Sequence, residues 1–166
     1  LSQRQAIVAE IPRLRRYARA LTGDTQRADD LVQDTLERAL VKWALWRQGS
    51  SLRAWLFAIM HNTWVNQVRA PQAVDYRAGD DLPEVGQRAS QDEMLALRDL
   101  ERALLHLPAE QREVLLLIGL DELSYAQTAS ALAIPVGTVM SRLARGRARL
   151  RALLAGETAI MLKVIK

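Results

Sequence analysis

Three groups of side chains in this 166-residue chain have types and spacings that suit chemistry, and in each case the chemistry is recognition. The first lies in residues 124–150, SYAQTASALAIPVGTVMSRLARGRARL, which end in an arginine-loaded helical pattern. Residues 124–154 hold five arginines and no Asp or Glu. Arg145 has the reach for a guanine edge, and Arg142, Arg147, Arg149 and Arg151 suit phosphates. The second group is Trp55, Phe57 and Trp64 with Asn62 and Asn66 four residues apart, flanked by Arg53 and Arg69. Rings that stack on bases, amides that read base edges and arginines that neutralise phosphates together suit single-stranded nucleic acid. The third is the acidic set Asp29, Asp30, Gln33, Asp34 and Glu37, spaced along one side of a helical pattern. Covalent chemistry has far less support. There is no cysteine, so thiolate nucleophiles, disulfides and thiolate zinc sites are excluded. Asp29/Asp30, or Ser124 with Asp121, bring no base and orienting group together. The two histidines, His61 and His106, are too far apart to read as a metal pair, so no cofactor or metal is expected and the chain is not read as an enzyme.

The elements that must carry these groups emerge from apolar periodicity. Leu, Ala, Arg, Glu and Gln dominate and strand-like alternation is almost absent, which predicts an all-α protein. Residues 1–21 have helical spacing through Ile7, Ile11, Leu14, Tyr17, Ala18 and Leu21, with Pro12 a breaker near the middle or a first-turn residue of a second helix. Gly23 suits a left-handed stop. Residues 26–46 are the clearest amphipathic helix, burying Ala28, Leu31, Val32, Thr35, Leu36, Ala39, Leu40 and Trp43. Asp29 and Asp30 fit a helix start favoured by the macrodipole, or an acidic face for a partner helix. Residues 47–52 are a short polar loop, and residues 52–69 resume a helix in which Trp55 and Phe57 also suit a core and His61 suits a satisfied core histidine.

Residues 70–91 break every periodicity with two prolines, two glycines and an acidic excess, the composition of a flexible linker. Helical spacing restarts over 92–107 and 109–120, and Ser124 is placed to cap the first helix of a helix-turn-helix. Pro135 suits the turn, and the second helix starts at about Val136 with Val139, Leu143 and Leu150 inward and Ser141, Ala144, Arg145 and Ala148 outward. The last 12 residues fit nothing before them. Charge is distributed to match: residues 1–70 carry +5, residues 71–123 carry −7 and residues 124–154 carry +5. Two basic zones around an acidic middle point to two contacts with a polyanion. No apolar run reaches the ~20 residues of a bilayer span and no signal peptide opens the chain, so a cytoplasmic protein without membrane insertion is expected.

Four stretches in this order, ADDLVQDTLERA (28–39), LRAWLFAIMHNTWVNQVR (52–69), LPAEQREVLLL (107–117) and residues 124–150, resemble the extracytoplasmic-function class of bacterial sigma factors, and among them those of the alphaproteobacterial general stress response. The resemblance implies two small helical domains: residues 1–70 as a region 2-like domain, 71–91 as linker and 92–154 as a region 4-like domain, with 155–166 a tail of unknown role. It implies as partners core RNA polymerase (the beta-prime clamp helices and the beta subunit), promoter DNA and an anti-sigma factor. Asp30, Gln33, Asp34 and Glu37 match the polymerase-docking positions. Arg47, Gln48, Gly49, Ser50 and Ser51 match the loop that pockets a flipped minus-ten base, and Asn62 and Asn66 match residues facing the non-template strand. Ser141, Ala144 and Arg145 match base-facing positions at minus thirty-five, Thr138 and Arg142 backbone-facing ones, and Arg149 lies on the same helix. Met140 departs from the family, standing where Lys or Arg is usual, and Ala144 is smaller than in some relatives. A sigma-like decoy that binds only an anti-sigma factor is the alternative. A plain helix-turn-helix repressor leaves the acidic and Trp/Asn helices unexplained.

Overall fold

The computed structural model describes residues 2–69 and 90–165, with backbone alone at 69 and 157–165. Residues 70–89, nearly all of the expected linker, lie outside the described residues. Every regular element among the described residues is helical. Helix α1 spans Gln3–Thr22 without interruption at Pro12. Pro12 and Val8 are both exposed, so water can satisfy the Val8 carbonyl that loses its intrahelical donor. A capping box at Ser2 and Gln5 starts the helix, and Gly23 at φ 69 ends it, donating to the Arg19 carbonyl.

Helix α2 spans Thr25–Val41 and is capped by Asp24, whose carboxylate accepts from the backbone of Gln26 and Arg27. The helix therefore begins a residue earlier than its apolar pattern indicates. Asp29 and Asp30 fall beyond the first turn, where a macrodipole contribution has faded. Ala28, Leu31, Val32, Thr35 and Ala39 are buried as expected. Leu40 is not: it is 53% exposed, and Trp43 belongs to a separate 3-10 turn, Trp43–Leu45. The change from 3.6 to 3.0 residues per turn takes the residues from Trp43 onward out of the helical register of α2. Helix α3 spans Leu52–Arg69 and packs between α2 and a later helix, α6 (Tyr125–Leu132). Its Phe57 meets Tyr17 of α1 edge to face, ring centroids 4.9 Å apart, and both rings are fully buried.

Helix α4 spans Gln91–Leu105, opened by a second capping box at Ser90 and Glu93. Helix α5, Ala109–Leu115, runs on into a π turn, Leu116–Leu120. Helix α6, Tyr125–Leu132, begins at the predicted Ser124 cap. Helix α7 spans Val136–Ile165, so the backbone of the unassigned tail continues the second helix of the helix-turn-helix through residue 165. The two halves do not keep separate cores. Leu14, Leu21, Leu31, Phe57 and Met60 form one buried cluster with Leu104, Val114, Leu117, Leu132, Val139 and Leu143. Each such side chain contributes roughly 1.5–3 kcal/mol when buried.

Candidate nucleic-acid interface

The helix-turn-helix is set by three local devices. The Ser124 hydroxyl accepts from the Gln127 amide at 3.0 Å while the Gln127 side chain accepts from the Ser124 amide at 2.9 Å. The α6 terminus turns at Ala133, held at φ 54, with the Ile134 amide bonding back to the Ala129 carbonyl at 3.0 Å. That left-handed position normally favours glycine. Pro135 then lends its carbonyl to the amides of Thr138 and Val139 at 3.0 and 3.2 Å, which launches α7. Val139 and Leu143 point into the core and Leu150 lies half-buried. Gly146 is buried where α5 crosses: a Cβ there would stand 3.1 Å from Leu115 Cδ1. This anchoring leaves the opposite face free.

On that face Met140, Ser141, Ala144, Arg145, Ala148 and Arg149 are all exposed. Thr138 is half-buried and its carbonyl accepts from the Ser141 hydroxyl at 3.1 Å. Arg142 leans back toward α5, its Nη2 3.7 Å from Glu110 Oε2. The face thus offers small side chains that permit close approach with arginines beside them, the arrangement a helix needs to enter a major groove.

The acidic positions on α2 divide. Asp30, Gln33 and Glu37 are exposed, with Gln33 Nε2 donating to Glu37 Oε1 at 3.4 Å. Asp34 is half-buried and accepts from Gln67 Nε2 of α3 at 2.7 Å. Just past them Val41 is 86% and Leu45 74% exposed, an apolar continuation of the face.

In the loop before α3, Arg47, Gln48, Gly49 and Ser50 are exposed and Ser51 is half-buried. Gly49 sits at φ 91, which a side chain rarely adopts. The Ser50 hydroxyl donates to the Arg47 carbonyl at 2.6 Å, and the Ser51 hydroxyl accepts from the Ala54 amide at 3.1 Å. Asn62 and Asn66 are exposed on α3. Arg53, which the sequence offers to phosphate, is instead committed to Glu10 of α1, through Nε at 3.0 Å and Nη2 at 3.4 Å. The Arg69 side chain lies outside the described residues. Among the described residues no His/Cys/Asp/Glu group could hold a metal ion, and no helix is long and apolar enough to cross a membrane.

Two family models match the chain in the order of these sites: "Sigma2 domain of PhyR" over residues 7–61 and "Sigma-70, region 4" over residues 97–150. The ECF RNA polymerase sigma factor EcfG of Rhodopseudomonas palustris is 39% identical over 154 residues, covering 92% of this chain and 85% of that one. The chain belongs to the ECF RNA polymerase sigma factors. A second member, SigM of Mycobacterium tuberculosis, is 34% identical over 141 residues, covering 85% of this chain and 71% of the other. Among solved structures, the sigma factor RpoE of Bartonella quintana in complex with the anti-sigma factor NepR superposes with a TM-score of 0.77 at 34% identity, over 92% of this chain and 96% of that one.

The region 4 match covers all of α6 and the part of α7 that bears the exposed face from Met140 to Arg149. Sequence reasoning about this sigma factor missed one feature beside the loop at residues 47–51. Trp43 and Trp46, ring centroids 5.1 Å apart, line an open, mainly apolar cleft of about 400 Å³ with Gln48, Ser2, Gln3 and Ala6. The paired tryptophans three residues apart, next to a polar loop, were the available signal.

Proposed function

We propose that this chain binds core RNA polymerase and directs it to specific promoters, acting in the cytoplasm as a binding protein rather than as an enzyme. The observation that carries this reading is the α7 face, where Ser141, Ala144 and Arg145 stand exposed on a helix anchored by Val139, Leu143 and the tight packing at Gly146. In this reading residues 92–154 read the minus-thirty-five element, with Ser141, Ala144 and Arg145 at base edges and Thr138, Arg142 and Arg149 at the backbone. Met140, 53% exposed, adds apolar contact but no charge. Residues 1–70 dock on polymerase and open the minus-ten element. Asp30, Gln33, Asp34 and Glu37 face the clamp helices of the largest subunit, and the Arg47–Ser51 loop with Asn62 and Asn66 takes the displaced strand. Residues 71–91 tether the halves.

Regulation by an anti-sigma factor is supported by the RpoE neighbour, which was solved bound to NepR. Membership of the general stress response group rests on the same likeness and on EcfG. A second reading has one observation in its favour: the N-terminal family model is described by PhyR, whose solved Bartonella quintana form is called an anti-anti-sigma factor. A decoy of that kind has no use for an intact DNA-reading face. Run-off transcription with cognate core polymerase separates the two. Promoter-dependent RNA is the expected result, and its absence over a genomic DNA library would favour the decoy.

A further inference from the structure

The exposed face of α7 has two unlike flanks. At about 100° per residue, Val136, Met140 and Ala144 climb one of them and Arg145 and Arg149 the other, with Gly137, Ser141 and Ala148 between. Arg147 falls on the Met140 side, but about 10 Å further along the axis at 1.5 Å per residue. From Val136 to Ala144 the first flank is therefore apolar and uncharged. Two of its side chains are large and wet: Met140 is 53% and Val136 43% exposed. Packing does not use them, because Val139 and Leu143 already fill the side of α7 that meets the core.

Gly137 gives an independent indication. It lies in the first turn of α7, and a Cβ added there would meet nothing within 4 Å. Glycine is less favourable than alanine inside a helix. At Gly146 the fold accounts for it, since a Cβ would stand 3.1 Å from Leu115. At Gly137 nothing in the chain does, so the missing side chain serves an external surface that comes close to this turn. Charge identifies the surface: residues 124–154 hold five arginines and no Asp or Glu, which suits a polyanion. The second helix of a helix-turn-helix presents its N-terminal turns to base edges in the major groove. Purines show polar atoms there, and the apolar feature is the C5-methyl group of thymine.

We propose that Met140, flanked by Val136 and Ala144, reads a thymine methyl group in the upstream promoter element, so that one side of α7 recognises bases by apolar contact and the other by charge. The proposal rests on the promoter-reading function above and names the chemistry of a flank to which that function gives only general contact. A Lys or Arg at position 140 would seek a phosphate or a purine acceptor. The unbranched, polarisable thioether of methionine adapts its shape to a methyl group instead.

The test uses the holoenzyme, this chain with its cognate core polymerase, on the promoter fragment that run-off transcription selects. Each thymine of the upstream element is replaced in turn by deoxyuridine, which removes the methyl group and nothing else. At one or more positions the wild-type holoenzyme should bind about fourfold more weakly, the contribution of one buried methyl group. Met140→Ala should bind the thymine and uracil forms alike, with the helical content of the free chain retained. Met140→Lys should also lose the difference and steepen the slope of log affinity against log salt by about one unit. Gly137→Ala should raise the Tm of the free chain and weaken promoter binding at least tenfold. An upstream element without thymine, or wild-type indifference to deoxyuridine at every position, overturns the proposal. So does a methyl effect that Met140→Ala leaves intact. Met140→Ala that impairs assembly with core polymerase rather than duplex binding would make the flank a protein-docking surface and overturn it too. Absence of promoter-dependent RNA would refute the promoter-reading function and this proposal with it, whereas RNA from a promoter bound without regard to its thymine methyls refutes the proposal alone.

Discussion

Asp121 supplies the most demanding test of the physics. Its side chain is fully buried with both oxygens unpartnered, and burial pushes its pKa up to about 6, against an ordinary 3.8. Arg16, Arg13 and Arg53 pull the other way and Glu10 adds to the rise, but desolvation dominates. These shifts fix the sign of the stability effect. Well below its ordinary pKa of 3.8 the carboxyl is protonated in both folded and unfolded chains and imposes no charge penalty. As pH rises from about 4 to 6 the unfolded chain releases this proton first, so stability falls. Above 6 the penalty is complete, at about 3 kcal/mol from 1.36 kcal/mol per pKa unit. Asp121→Asn removes the titration. Its amide still lacks partners, which leaves a constant offset of about 1–3 kcal/mol that does not depend on pH. Urea unfolding of both proteins between pH 4 and 7.5, monitored by circular dichroism, isolates the term because other carboxylates cancel in the difference. The stability of Asp121→Asn relative to wild type should climb by about 2–3 kcal/mol across that window and then level off. A difference that stays flat from pH 4 to 7.5 would refute the assignment of a buried, unpaired carboxyl.

The geometry sets four further outcomes. Gly146→Val must force α5 away from α7, since even the Cβ would be 3.1 Å from Leu115; a loss of about 1–3 kcal/mol in urea unfolding is expected. Ala133→Gly relieves a left-handed residue at φ 54 and should stabilise the chain by up to about 1 kcal/mol, read as a rise in Tm. Arg145→Ala should weaken specific duplex binding by about 1–3 kcal/mol and relax sequence preference at one position in a fluorescence anisotropy assay, whereas removal of a phosphate contact would weaken all sequences alike. Asp34→Arg should abolish core polymerase pull-down with helical content retained. Its bond to Gln67 is lost as well, so Gln67→Ala with normal pull-down is the control that assigns the effect to charge.

The exposed face of α7 is legible in the sequence because helical periodicity alone decides which residues oppose Val139 and Leu143. A serine three positions before Gln or Glu marks a cap: the Ser124 cap stands out, while the same pattern at Ser90 is hidden in the linker composition around it. Boundaries are harder. The true start of α2 depends on Asp24 bonding to two amides, and its true end on a switch to a 3-10 turn at Trp43. Pairings distant in sequence are invisible. Nothing local joins Glu10 to Arg53, Gln67 to Asp34, or His61 to Glu113. His61 is a satisfied histidine as its isolation suggests, but its partner lies in the other half of the chain. Arg53 reads as a phosphate ligand for the same reason, because its competing carboxylate is 43 residues away.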